Sequence, residues 1–326
     1  MKKYILSISL AFLGTLTFAQ TFDQPVEYNN FIVEEMNAVV GKNLEYISQS
    51  VHSENFEQIE LKRKNVLKQI ESAFNKISTA KPYEKGESLQ SECVEVLNLY
   101  KGVFGAEMEE VNLLKESSQA SFEAMETYFM AQDKAEKNLA RATDRFYKAQ
   151  KSFLKVHDIQ MEEMENAEQD NVLQEISDVN EYVRDLYLIY FQMTKYSTIF
   201  LEAAGNEDKG GIEGKRKRLA AAANRASEKL NKMEGFKGDE TFLKSTKAMV
   251  NLYKDLGENG FVDIVKVVKT KQEDLTQADV DAYNKAIEKL NTETPRLNND
   301  FNQAQMELLK KHIPKHNVMN NKVKRT

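Results

Sequence analysis

Residues 139–157 read LARATDRFYKAQKSFLKVH. Within them Leu139, Ala142, Phe146, Ala149, Phe153 and Val156 follow one another at spacings of 3, 4, 3, 4 and 3. A helix of about 3.6 residues per turn brings such positions onto one side, so the stretch predicts a long helix with a heptad-like apolar seam. The pattern extends outward from about Tyr28 to about His312, with strand signals nearly absent. Phe261 to Val268 is rich in β-branched residues, yet Asp263 and Lys266 interrupt it and a helix fits better. Breaks are expected near Ala80 to Glu87, Gly102 to Gly105, Glu168 to Asn171, Gly205 to Gly214, Glu234 to Asp239 and Gly257 to Gly260. The fold class predicted is all-α, an elongated helical bundle.

The seam also recurs. Residues 146–157, FYKAQKSFLKVH, match residues 301–312, FNQAQMELLKKH, at an offset of 155. Upstream, VLNLYK at 96–101 matches MVNLYK at 249–254 at an offset of 153, and Asn75-Lys76-Ile77 parallels Asn231-Lys232-Met233. Matches in the same order at nearly constant offset predict two tandem, sequence-related helical units, residues 20–168 and 172–313. Each is expected to hold a first helix, a loop, a short helix ending in the Asn-Leu-Tyr-Lys block, and a long final helix. Pro295 stands where Ala140 sits in the first unit, so Thr294-Pro295 predicts a kink or a fresh helix start there.

A chain of 326 residues with 41% hydrophobic and 29% charged residues can bury a core without disulfides, and its single cysteine excludes an internal one. Lys2 and Lys3, an apolar run from Tyr4 to Phe18 and the Thr17-Phe18-Ala19 end predict a signal peptide over residues 1–19. Gln20 after the cut, where a lipoprotein needs cysteine, predicts an exported, unlipidated protein of the periplasm or exterior. An uncleaved anchor is the alternative, against which the shortness of the run counts. No later stretch is apolar enough to span a membrane. Cleavage leaves 43 basic and 51 acidic residues, a net charge of −8, divided into −11 over residues 20–170 and +3 over residues 171–326. Such asymmetry steers one half toward the other or toward a partner, and nucleic acid does not suit an exported acidic chain.

Candidate chemistry is sparse. Leu154 and Leu309 occupy the places that a Glu-x-x-His di-iron motif would need before His157 and His312, so no metal is expected; those histidines are read as helix-end residues bonding the last carbonyls. Glu162, Glu163, Glu165 and Glu168 spread around a helix and read as a solvated face. No nucleophile elbow, phosphate loop or zinc motif is present, so no catalytic residue and no cofactor is predicted. Cys93 aligns with Thr246, which argues for a small semi-buried residue rather than a nucleophile. Tyr182, Tyr187, Tyr190, Phe191 and Tyr196 crowd one helix, reading either as a central packing helix or as a ligand or partner groove. Lys215, Arg216, Lys217 and Arg218 oppose the dipole of the helix they begin, which makes them a candidate anion-contact run toward the acidic half, an envelope lipid or glycan, or water. The lysines and arginine beyond Pro314 read as a flexible basic tail over residues 314–326.

The start of the expected mature chain, PVEYNNFIV at 25–33, and the end block Phe-x-x-Ala-Gln-x-x-x-Leu-Lys-x-His resemble a family of exported bacterial surface proteins of unknown function, first named from a leptospiral member. The signal ending Thr-Phe-Ala-Gln is similar to those of Bacteroidetes. The resemblance implies no catalytic residues. Together these readings predict an exported, non-enzymatic helical protein that binds an envelope protein or surface component. The alternative is a carrier of a small apolar or amphipathic ligand in a helical groove.

Overall fold

The computed structural model describes residues 20–53, 55–159, 164–313 and 315. The expected signal peptide and nearly all of the basic tail lie outside the described residues, as do Glu162 and Glu163. Among the described residues there are ten α-helices and no strand. In the N-terminal half these are α1 (Pro25–His52), α2 (Phe56–Thr79), α3 (Glu87–Gly102), α4 (Met108–Ser117) and α5 (Phe122–Val156). In the C-terminal half they are α6 (Met164–Gly205), α7 (Ile212–Asn231), α8 (Thr241–Asp255), α9 (Phe261–Lys269) and α10 (Gln277–His312).

Local chemistry places the ends. Asn55 and Ser121 accept the amides of Gln58 and Ala124 at 3.0 and 3.1 Å, capping α2 and α5. Thr276 and Asp279 form a reciprocal capping box that starts α10. The glycine-containing stretches 102–105 and 257–260 do not break the chain. They lie within single π-helical turns, Val103–Glu107 and Leu256–Gly260, which join α3 to α4 and α8 to α9.

Three expectations need correction. The predicted break at Glu168 to Asn171 lies inside α6, so the boundary drawn there falls within a helix; α5 ends at Val156 and α6 begins at Met164. The segment Glu168-Gln169-Asp170-Asn171 is polar, but polar residues are compatible with a helix and it holds neither glycine nor proline. The first helix of each expected unit is two helices, α1 with α2 and α6 with α7. Finally, α10 runs through Pro295 without restarting, capped at Thr276 rather than Thr294, although the proline has no N–H to give to the helix.

Two hydrophobic cores result. One gathers Tyr28, Ile32, Val39, Val66, Ile70, Leu89, Leu97, Phe104, Phe146 and Phe153. The other gathers Leu186, Met193, Leu219, Leu230, Phe242, Val250, Phe261 and Phe301, and takes in Leu44 from α1. Buried positions recur between them. Val66, Ile77, Leu89, Cys93 and Leu97 stand 153 residues before Leu219, Leu230, Phe242, Thr246 and Val250, and all ten are buried. Ile77 stands 153 residues before the buried Leu230, whereas Met233 lies past the end of α7. Ile32 and Val39 precede Leu186 and Met193 by 154, and Phe146 precedes Phe301 by 155. Of the α5 seam, Ala142, Phe146 and Phe153 are buried and Leu139 and Ala149 half-buried, but Val156 is exposed and Leu154 is buried instead, because a 3.5-residue repeat drifts on a 3.6-residue helix.

Candidate functional site

One motif organises each core. Ile59-Glu60-Leu61-Lys62-Arg63-Lys64 on α2 recurs 153 residues later as Ile212-Glu213-Gly214-Lys215-Arg216-Lys217 on α7. Glu and Arg three apart lie on one helix face. Arg63 donates from Nε and Nη2 to Glu60 at 2.8 and 2.7 Å, and Arg216 donates to Glu213 at the same two distances. The third nitrogen of each fork, Nη1, donates to a π-turn carbonyl, Phe104 O in the first half and Gly257 O, at 2.5 Å, in the second. A π-turn wraps in an extra residue and leaves a carbonyl without its usual helical donor, so the guanidinium supplies what the backbone cannot. Hydrogen bonds from these arginines hold both carboxyls below the usual range.

The cation run over Lys215 to Arg218 is therefore engaged internally. Lys215 pairs with Asp208 at 2.7 Å, Arg216 is the clamp, and Lys217 lies 3.6 Å from Glu213. Arg218 stacks on the Tyr196 ring at 4.5 Å and donates to its hydroxyl at 3.2 Å, which joins the two predicted sets of residues at one point. The first turn of α7 tolerates these cations because Glu213, Asp208 and an aromatic face neutralise them locally.

Tyr187, Tyr190 and Phe191 touch one another on α6, whereas Tyr182 and Tyr196 meet other partners. Tyr182 donates to Glu234 O at 3.1 Å and meets Phe236 in the α7–α8 loop. Tyr187 meets Phe129 of α5 edge-on at 5.6 Å. Tyr190 stacks on Phe301 of α10 at 4.1 Å and donates to Asn298 at 3.1 Å, and Phe191 is buried beneath Lys195. These rings fill space between α6 and four neighbours, the packing alternative of the two read from sequence. A cavity between α7 and α8, lined by Ser227, Leu230, Lys247 and Val250, holds about 30 Å³. That is room for a few waters at most.

The halves meet through polar ties as well as through the packing of Leu44 and Phe129. Arg184 of α6 forks onto Glu136 of α5 at 3.0 Å, with Asp133 at 3.7 Å and Asn180 donating to Glu136 at 3.2 Å. Burial outweighs these partners and lifts the Glu136 carboxyl above its ordinary value. A second tie joins His52 to the Ile313 carbonyl at 2.8 Å.

His157 and His312 do end matching helices, but their rings are not bonded to the last carbonyls. His157 packs against Phe153 and Tyr83, while His312 pairs through Nδ1 with Glu175 at 2.5 Å and packs against Phe236. Cys93 is buried and its thiol is pushed up to about 12, chiefly by desolvation. Among the described residues no three His, Cys, Asp or Glu side chains converge as a metal site, and no helix is long and apolar enough to cross a membrane.

Sequence reasoning missed one surface. Leu113 of α4 is 66% exposed and Met130 of α5 67% exposed. Their counterparts at offsets of 153 and 155 are Lys266 and Lys285, both exposed. Phe56, 62% exposed at the start of α2, likewise precedes Lys209 by 153. The contrast also runs the other way, since the exposed Val262 and Met306 stand 153 and 155 positions after the exposed Glu109 and Lys151.

No protein-family model matches the chain, and neither the curated proteins nor the solved structures include a significant match to it.

Proposed function

We propose that this chain is an exported, non-enzymatic binding module built from two copies of one helical unit, of which the N-terminal copy has specialised its outer face for a partner in the cell envelope. The observation that carries the reading is the contrast between interior and exterior. Inside, the two halves repeat one another at offsets of 153 to 155, down to the Glu-x-x-Arg clamp on each π-turn. Outside, Leu113 and Met130 stand where the other half carries Lys266 and Lys285. Packing constrains an interior, whereas an exposed position is free to become lysine; an apolar side chain held at such positions lowers solubility unless something covers it.

Export rests on the residue pattern of positions 1–19, and the resemblance to exported surface proteins points the same way. The carrier alternative gains nothing from the packing, since the α6 aromatics are engaged with α5, α7 and α10. The test is affinity capture with the mature protein from lightly cross-linked native cells, reading proteins and extracted lipids together. A protein partner recovered at stoichiometric amounts is the expected result. Recovery of one small molecule or lipid without protein would support a carrier, and recovery of nothing specific would refute the binding module.

A further inference from the structure

The α4–α5 hairpin carries its exposed apolar side chains in an acidic setting. Between residues 107 and 130 the chain holds six glutamates and one lysine, a net charge of −5. On α4, Glu109, Leu113 and Glu116 follow at i, i+4 and i+7 and are all exposed; on α5, Glu123, Glu126 and Met130 follow at i, i+3 and i+7, again all exposed. Helical spacing puts each trio on one line, so Leu113 lies between two carboxylates, while Met130 has Glu126 on one side and Lys134 on the other. In the C-terminal half the matching lines carry Val262, Lys266 and Lys269 on α9, and Ala278, Asp281 and Lys285 on α10.

The difference between α4 and α9 is also one of packing. Phe261, Ile264 and Val265 turn α9 inward, with Phe261 stacked on Phe200 at 4.1 Å. The matching residues of α4 are Met108, Val111 and Asn112, of which only Val111 is buried. So α4 gives up inward contact and gains an outward leucine, the reverse of what solubility favours.

We propose that the outer face of the α4–α5 hairpin docks a cationic amphipathic helix of a partner protein, with Leu113 and Met130 meeting its apolar side and Glu109, Glu116, Glu123 and Glu126 meeting its lysines and arginines. Complementary charge selects such a helix over an acidic or neutral one, and the apolar pair distinguishes docking from simple ion attraction. The inference rests on the binding-module reading and names the face and the chemistry of its partner.

The probe is a fluorescent synthetic Leu/Lys peptide with helical amphipathic spacing, titrated onto the full mature chain and followed by anisotropy at low and at raised salt. A peptide of the same composition, scrambled to destroy the amphipathic pattern, is the comparison. The ordered peptide is expected to bind at least about tenfold more tightly than the scrambled one. Leu113→Lys with Met130→Lys, which copies the other half, is expected to weaken it at least about tenfold with an unchanged circular dichroism melt. Glu109→Lys with Glu116→Lys is expected to weaken binding and reduce its salt dependence, and an unchanged salt dependence would overturn the charge contact. Equal binding of ordered and scrambled peptides, or undiminished binding by the Leu113/Met130 variant, overturns the proposal. In cross-linked capture, a partner retained by that variant sinks this surface while leaving the binding module standing; failure of the native chain to capture any partner sinks both.

Discussion

Arg216→Met tests whether the repeated clamp holds the fold. Methionine keeps the apolar stem and removes the guanidinium, whose side chain is 13% exposed. The loss has two parts. A hydrogen bond from a charged donor to a backbone carbonyl contributes about 1.5–3 kcal/mol, and the Gly257 carbonyl has that donor as its side-chain partner. Glu213 is 30% exposed and keeps Lys217 at 3.6 Å, so the ion pair itself adds only about 0.5–1 kcal/mol after solvent screening.

The sum is about 2–4 kcal/mol, which for a cooperative unit of this size lowers Tm by roughly 5–15 °C. Urea unfolding followed by circular dichroism measures it, with Arg218→Met as the matched exposed control. That arginine stacks on Tyr196 and donates to its exposed hydroxyl, and its loss should cost about 0.5–1 kcal/mol. An Arg216→Met midpoint indistinguishable from that of Arg218→Met would refute the idea that the π-turn depends on its guanidinium donor.

Gly257→Ala should cost about 1–3 kcal/mol, because a Cβ there comes within 3.1 Å of the Ala220 backbone, whereas Gly105→Ala meets nothing within 4 Å and should be neutral or slightly stabilising; paired urea midpoints separate the two. The Cys93 thiol, buried and raised to about 12, should resist a thiol reagent at neutral pH until the N-terminal core opens, so labelling should speed up in Arg63→Met and not in Arg216→Met. Lys311 and the Thr241 backbone hold the Asp239 carboxyl at about 2. A depressed carboxylate adds stability above its unfolded value, about 3.9, and that stability is lost as pH falls through the folded one. The stability gap between native protein and Asp239→Asn should therefore close between about pH 4 and pH 2, and a gap that persists at pH 2 would contradict the pairing.

How far the fold was legible depended on which forces leave a periodic trace. The α5 seam was readable because burying one face of a helix forces apolar residues to recur every three or four positions, and the expectation failed only at Val156, where the repeat had drifted off the buried face. Residues 53–55 and 117–121 end helices through serine and asparagine caps rather than through glycine or proline, so a search for strong breakers passed them by. The clamps left no trace of their own. Glu-x-x-Arg is an ordinary surface spacing, and nothing within residues 59–64 says that the arginine turns inward to a carbonyl 41 positions away. The signal that existed was relational: residues 59–64 and 212–217 are separated by the same 153 positions as the two Asn-Leu-Tyr-Lys blocks. The outer face is harder still. Leu113 and Met130 satisfy helical periodicity as well as any core residue, so only their exposure in the folded chain, and the lysines 153 and 155 positions later, set them apart from core residues.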